Sequence, residues 1–514
     1  MMAAAAKPDA VLLSALLDGI AEVPVSMDRE IAGLSLDSRD VEPGWLFLAC
    51  QGGAQHGLDF VRQALNRGAA AIAWEPNGAA TDDKVRILDA GQQIPLLRVP
   101  HLSGRVSQIA ARFFDFPSQH LFMVGITGTN GKTSVSHLLA QALHPATSCP
   151  IVGTLGVGYL ESLSATGYTT PDAITLQQVL AELKADGAQA VVMEVSSHAL
   201  DQGRAAAVHF DTAIFTNISR DHFDYHGSME HYAAAKQRLF QMPGLRSAVI
   251  NLDDALGREL PATLAADVEL LVYTLDPDTA IPQGVAGWVR AESVVPTSRG
   301  LRITLTSHLG NGEFHSSLLG SFNAANLLAV LLVLLDRGWS LPDALQKLET
   351  LKTVEGRMET YGGGELPAVV IDYAHTPDAL EKALSALRSH CEQKLWAVFG
   401  CGGDRDRGKR PLMGAVAERL AEKVVLTDDN PRSEPGDQII NEILAGMADR
   451  DQIVVQRDRS RAIHQAISSA GPGDLVLVAG KGHEDYQLVA GETLHFSDQE
   501  QVLAALANRA GEAG

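Results

Sequence analysis

At 514 residues the chain has room for about three domains of roughly 150 residues each. Hydrophobic residues make up 46% and charged residues 20%, which supports buried cores and argues against disorder. Lys and Arg number 41 against 62 Asp and Glu, a net charge of −21, which makes the chain a poor candidate for sequence-independent binding to nucleic acid or to anionic membrane, both needing a basic surface.

The first apolar run, Val11–Leu17, is short, halts at Asp18 and follows Lys7 and Asp9 rather than a basic stretch. It reads as a surface helix and not as an export signal. Residues 1–101 form a small α/β unit, with strands at Trp45–Ala49 and Ala69–Trp74 and a helix at Leu58–Asn66. Pro100 closes that unit, and a new helical pattern starts near Ser103.

Residues 102–351 are the second domain. Strands are expected at Leu121–Thr127, Ala190–Glu194, Thr212–Thr216 and Ala248–Asn251, with a helix from the first strand's loop through Ala142. Strands alternating with helices predict a largely parallel sheet. Residues 286–318 alternate differently and predict an antiparallel appendage. Leu327–Leu335 is apolar over nine residues, a buried core helix too short for the ~20 residues a bilayer requires. No membrane insertion is expected, and the chain reads as soluble and cytoplasmic.

From 352 to 514 the pattern restarts, with strands at Ala368–Asp372, Lys394–Phe399, Lys423–Thr427, Gln452–Val455 and Leu475–Ala479. This predicts a second, Rossmann-like doubly wound sheet. The fold class is therefore α/β with three domains. The four cysteines, Cys50, Cys149, Cys391 and Cys401, show no Cys-x-x-Cys pair and read as reduced, buried thiols.

The strongest chemical signal is Gly125-Ile-Thr-Gly128-Thr129-Asn130-Gly131-Lys132-Thr133-Ser134. A strand, a Gly-rich turn and a helix aim successive amides and the helix dipole at phosphate. Lys132 is placed for the β/γ-phosphates and the Thr133 hydroxyl for Mg²⁺. A strict Walker A loop has Gly six residues before its Lys; here that position is Ile126, so the loop is a variant. Glu194 ends an apolar strand and is followed by Val195-Ser196-Ser197-His198, the position where a parallel sheet presents a metal ligand. Further on lie Asp221-His222 and, in the helical stretch Met229–Phe240, Lys236. A lone helical lysine reads as solvated; His222 is the better metal candidate.

In the last domain four loops follow strands: Asp372-Tyr-Ala-His375, Gly400-Cys-Gly-Gly-Asp404-Arg405, Asp428-Asp429-Asn430-Pro431-Arg432 and Gly480-Lys481-Gly482-His483-Glu484. All belong to one rim. Arg405 and Arg432 offer forks for carboxylates, while Asn430 and Glu484 offer acceptors for an amine, a rim suited to a zwitterion. Physics alone thus predicts an ATP-dependent enzyme with a second anionic or zwitterionic substrate. A regulatory GTPase would need an Asn-Lys-x-Asp motif, and no Asn-Lys dipeptide occurs. A non-catalytic nucleotide-binding scaffold would tolerate loss of Glu194, His222 or Lys236, and all three are present.

The Gly-Thr-Asn-Gly-Lys-Thr loop, the Glu194 strand with Ser-Ser-His, Gly320-Ser-Phe-Asn323, Glu355-Gly356-Arg357 and Asp372-Tyr-Ala-His375 together resemble the Mur ligases of peptidoglycan synthesis, over nearly the whole chain. The shared ATP machinery leaves neighbouring ligases, including folylpolyglutamate synthases, as rivals; the Asp429–Arg432 and Gly480–Glu484 loops favour the member that adds diaminopimelate. The resemblance implies ATP as co-substrate, UDP-N-acetylmuramoyl-L-Ala-D-Glu as acceptor and meso-diaminopimelate as the amino acid, handled by a monomer. Lys132 and Thr133 would serve phosphates and metal, Glu194 and His222 two Mg²⁺ ions, and Lys236 a CO₂-derived carbamate. Asn323 would contact adenine, Arg357 the phosphates and Asp372 the ribose. Leu36, Ser38, Gly53, Ala54 and Gln55 would bind uridine in the first domain; Thr169, Thr170, Ser196, Gln202 and Arg204 would hold the muramoyl dipeptide. Arg405, Asp429, Asn430, Pro431, Arg432, Gly480 and Glu484 would hold diaminopimelate.

Overall fold

The structure is a computed structural model describing residues 10–52, 55–77, 94–219, 221–297, 300–354, 356–449 and 453–512. Gly53, Ala54 and Glu355, singled out from the sequence, lie outside the described residues. The chain forms two compact units: one runs to Tyr273 and takes in Ala280–Trp288, the other is Thr274–Thr279 with Val289 onward.

The first unit opens with four parallel strands, Gly33–Ser35, Trp45–Ala49, Ala71–Trp74 and Leu96–Arg98. The expected surface helix at Val11–Leu17 is corrected here. Val11–Leu12 is a two-residue strand paired with Glu30–Ile31, and only Leu13–Leu16 is helical. Leu13, Leu16 and Leu17 are fully buried with Ile31, Leu46 and Ile109, because three leucines in five residues cover one face of a turn.

The larger sheet of this unit runs in the order Glu269–Thr274, Ser247–Asn251, Thr212–Phe215, Phe122–Thr127, Ala190–Glu194, Ile151–Gly153, Gly156–Gly158. All neighbours are parallel except the last pair. Phe122–Thr127 lies in the middle and is covered on both faces, which is why its sequence is continuously apolar rather than alternating. Its register sets Glu194 opposite Ile126 and Phe215 opposite Thr127, so three strands end at one level just where the Gly-rich loop begins.

The antiparallel strands Gly287–Thr297, Gly300–Ser307 and Gly310–Ser316, which belong to the second unit from Val289 onward, follow as the alternation predicted. Ser321–Asp336 is the buried apolar helix. A six-stranded sheet follows in the order Glu359–Gly362, Ala368–Asp372, Leu475–Ala479, Leu395–Phe399, Lys423–Leu426, Ile453–Val455, parallel except for the first strand. The hairpin Tyr486–Val489/Glu492–His495 was not expected from the sequence. All four cysteines are free thiols, but Cys50 and Cys391 are only partly buried, which corrects the expectation of four buried ones. Among the described residues no helix is long and apolar enough to cross a membrane.

Candidate active site

The helix Lys132–Leu143 starts at Gly131, whose φ of 87° is open to glycine at little cost. Gly128 passes so close to the Thr212–Phe215 strand end that a Cβ would lie 1.9 Å from Thr216 Oγ1. The loop is tied to that strand end: the Thr129 and Asn130 amides donate to the Asn217 carbonyl and side-chain oxygen at 2.8 and 3.0 Å. The expectation that successive loop amides face a phosphate is corrected accordingly, since two of them are held by Asn217. The N–H groups of the helix's first turn, from Lys132 through Thr133 and Ser134, have no carbonyl acceptor within the helix and are the part of the loop able to take an anion.

The Glu194 carboxylate is fully buried. It accepts from Thr133 Oγ1 at 2.9 Å, from the Thr154 amide at 2.9 Å and from Thr154 Oγ1 at 3.1 Å. Gly153 makes its room, since a Cβ there would lie 2.2 Å from Glu194 Oε1. Lys132 folds back so that its ammonium meets the Gly128 and Thr129 carbonyls at 2.9 and 3.0 Å.

Lys236 overturns its reading as a solvated side chain. It is 1% exposed, donates to the same Gly128 carbonyl at 2.7 Å and lies over the Tyr232 ring. Burial, and then the nearby Lys132 charge, push its ammonium well below a lysine's ordinary value. His222 sits at φ 53°, half-exposed, with its ring edge on His198 at 4.8 Å and Asp221 at 3.4 Å.

A connected network continues from the carboxylate's own backbone. Thr170 Oγ1 donates to the Glu194 carbonyl and accepts from the Ser196 amide. Arg204 reaches the Thr170 carbonyl at 3.0 Å and clasps Gln202 Oε1. Thr169 meets Thr154 at 3.0 Å. Ser196 caps the helix Ser197–Asp201. Thr154, which bridges Glu194 and Thr169, carries no sequence signal and was missed. In the small α/β part Ser38 is buried and donates to Gln63, Leu36 is exposed, and the Gln55 carbonyl accepts from the Gly52 amide.

In the second unit the Asn323 amide donates to the Leu319 carbonyl and accepts from Asn326. Asp372 accepts from the Met358 and Ala374 amides. Burial raises its pKa, and Arg357 opposes that rise. Arg357 stacks on Tyr373 at 4.8 Å, and its buried Nε has no partner among the described residues.

The four loops do leave parallel strands at the same end. Arg432, at φ 53°, is fixed by backbone bonds to the unexpected hairpin (its amide to the Leu488 carbonyl, its carbonyl to the Ala490 amide), while its guanidinium donates to the Gly403 carbonyl. Pro431 offers its carbonyl to the Glu434 amide, and Arg405 projects from the neighbouring loop as an exposed side chain. Gly480 stands at φ 116° beside Asp429, where a Cβ would lie 3.0 Å from Oδ2. Asn430 does not offer its oxygen outward as expected. Oδ1 accepts from Lys481 and from the Leu488 amide, and the amide nitrogen turns to Glu484 Oε2 at 3.0 Å. Lys481 has no role in the sequence reading, although the signal that marks it is a lysine set between two glycines after an apolar strand.

A variant phosphate loop on a parallel sheet, joined in the chain to a second doubly wound sheet with a mixed-charge rim, defines the class of phosphate-loop α/β enzymes. Three family models match in chain order: "Mur ligase family, catalytic domain" over residues 30–114, "Mur ligase middle domain" over 126–334 and "Mur ligase, glutamate ligase domain" over 356–482. A relative from Alkalilimnicola ehrlichii is 50% identical over 94% of this chain and 96% of its own, and one from Pseudomonas aeruginosa is 51% identical over 93% and 96%. Both are named UDP-N-acetylmuramoyl-L-alanyl-D-glutamate–2,6-diaminopimelate ligase. A solved structure of that name superposes with a TM-score of 0.71 at 36% identity, covering 94% of this chain and 96% of the other. A MurF ligase from Thermotoga maritima in complex with ADP shares the fold, with a TM-score of 0.58 at 18% identity over 96% and 100%. The chain belongs to the Mur ligase family.

Proposed function

We propose that the chain is the ATP-dependent ligase of peptidoglycan precursor synthesis that joins meso-diaminopimelate to the D-glutamate γ-carboxylate of UDP-N-acetylmuramoyl-L-Ala-D-Glu. The observation that carries this reading is the Thr133 hydroxyl on the buried Glu194 carboxylate at the mouth of the phosphate loop. The substrate names come from relatives half identical over nearly the full length. Domain borders near 101/102 and 351/352 belong to the same proposal.

The residues present fit Mg²⁺. Among the described residues no trio of His, Cys, Asp or Glu gathers, but Mg²⁺ needs only one or two carboxylates beside substrate phosphates. Thr133, Glu194, His222 and Lys236 as its carbamate would hold two ions, which when bound offset the charge of carboxylate and triphosphate. Lys236 suits carbamylation because its buried amine is held toward the neutral, nucleophilic form. Lys132 lies beside the same loop carbonyl and would move from it to the phosphates. The γ-carboxylate oxygen attacks the γ-phosphorus, giving an acyl phosphate and ADP. The unprotonated amine of diaminopimelate then attacks the acyl carbon; as the C–N bond forms, phosphate leaves with the bonding pair and the nitrogen releases one proton to solvent. Gln202, Arg204, Thr169, Thr170 and Ser196 would hold the muramoyl dipeptide. Arg432 and Arg405 would take the carboxylates of the amino acid, and Asn323, Arg357 and Asp372 the nucleotide.

The test is phosphate release from ATP with Mg²⁺ and UDP-N-acetylmuramoyl-L-Ala-D-Glu, in matched reactions with meso-diaminopimelate, L-lysine or no amino acid. Release that needs diaminopimelate, with a tripeptide product by mass, is expected. Release with lysine instead would overturn the role of Arg432, and no release in any tube would overturn the reaction.

A further inference from the structure

Lys481 follows the strand Leu475–Ala479 and its side chain is fully buried. An ammonium group has three N–H donors and no acceptor. Here they meet Asn430 Oδ1 at 3.0 Å, the Tyr486 carbonyl at 2.7 Å and Glu484 Oε2 at 3.4 Å, with Asp429 Oδ1 at 3.6 Å. A charge is buried in this way only where partners hold it. Two carboxylates against one ammonium leave the cluster one negative charge in excess.

Asn430 Oδ1 also accepts from the Leu488 amide at 2.9 Å. With both lone pairs of that oxygen engaged, the amide cannot turn over, and its nitrogen is committed to Glu484 Oε2. Lys481 and the Leu488 amide together set which end of Asn430 faces the rim, and Lys481 also reaches the Glu484 oxygen that the Asn430 nitrogen takes. Glu484 Oε1 has no hydrogen-bond partner among the described residues.

We propose that Lys481 is a positioning residue for the amino-acid substrate: it locks the Asn430 amide and the Glu484 carboxylate into one arrangement whose surplus negative charge receives the substrate's ammonium group. The proposal rests on the reading that this rim takes diaminopimelate. It accounts for a lysine beside a site that must attract a cation: the lysine is outnumbered by carboxylates, and it orders them.

The experiment uses the full-length enzyme and compares wild type with Lys481→Met, which keeps the stem and removes the charge, and Lys481→Arg, which keeps the charge but replaces three tetrahedral donors by a planar fork. The KM for diaminopimelate should rise on the order of 30-fold in Lys481→Met and about fivefold in Lys481→Arg, with the KM values for ATP and the UDP-dipeptide within about threefold of wild type. A folded variant with an unchanged KM for diaminopimelate overturns the proposal. So does a loss spread equally over kcat and all three KM values, the signature of a merely structural lysine. If Lys481→Met does not fold, Lys481→Arg decides by the same criterion. Wild-type dependence on diaminopimelate is measured first. Turnover with another amino acid sinks the reading of the substrate, and the comparison is then made with that amino acid, where a selective rise in its KM still upholds the role of Lys481.

Discussion

Glu434 is held from three sides: Arg410 donates to both carboxylate oxygens at 2.9 and 3.0 Å, Arg407 at 3.0 Å, and the Asp404 amide at 2.5 Å. The hydrogen bonds from Arg410, followed by that from Asp404, depress its pKa from 4.5 to about 2. A depressed carboxylate stabilises the fold fully above its unfolded value and loses that contribution as pH falls toward the folded one. Glu434→Gln should therefore melt below wild type at neutral pH, with on the order of half of the difference gone by about pH 3. A gap that stays constant from about pH 6 to about pH 3 in calorimetry would sink this account. Single residues were legible in the sequence where their neighbours announced them. Lys132 and Glu194 stood out because a Gly-rich loop and an apolar strand frame them. Lys236 did not, because nothing in a helical Met-Glu-His-Tyr-Ala-Ala-Ala-Lys stretch tells that its face turns inward against Gly128. Asn430 was noticed for its polarity but misjudged in direction, since side-chain orientation is set by Lys481 and Leu488, partners more than fifty residues away.

Strands buried on both faces declared themselves by continuous apolar runs, as at Phe122–Thr127 and Leu475–Ala479. The hairpin Tyr486–Val489/Glu492–His495 did not, because its residues are half-buried or exposed and hydrogen bonds to Arg432, Asn430 and Lys481 hold it rather than burial. Ile151–Gly153 was equally silent, being only three residues long. Yet that short strand positions the proposed metal ligand. It pairs with Ala190–Glu194, and Gly153 lies directly against the Glu194 carboxylate. Gly153→Ala would set a methyl 2.2 Å from Glu194 Oε1, and the group that yields is the end of a flexible side chain rather than backbone. The fold should survive with a lowered melting temperature, because the buried carboxylate gives up part of its hydrogen bonding, while its displacement lowers kcat by about 10²- to 10³-fold. Steady-state kinetics beside a melting curve check this. A kcat near wild type would show that Glu194 tolerates displacement and is not a metal ligand.

The whole molecule carries −21 while every proposed substrate other than the amino acid is a polyanion. Two fields of opposite sign therefore act on an approaching nucleotide. Close to the proposed phosphate loop, Lys132 and the first turn of the helix Lys132–Leu143 are cationic or dipole-positive. Beyond contact, the summed charge of 62 acidic against 41 basic side chains repels it. Salt separates the two by distance, because the Debye length shrinks from about 30 Å at 0.01 M to about 10 Å at 0.1 M. Over that interval the long-range repulsion is screened first, whereas charges within a few ångströms of the bound phosphates are screened much less. Encounter should quicken while the bound complex is little altered. With free Mg²⁺ held constant, kcat/KM for ATP and for the UDP-dipeptide should rise about two- to fivefold between about 10 and 100 mM KCl, with kcat nearly flat. The amino acid carries both signs, so its kcat/KM should respond least. A monotonic fall for the two anionic substrates would mean that a local basic funnel outreaches the net charge, and −21 would then say nothing about how they arrive.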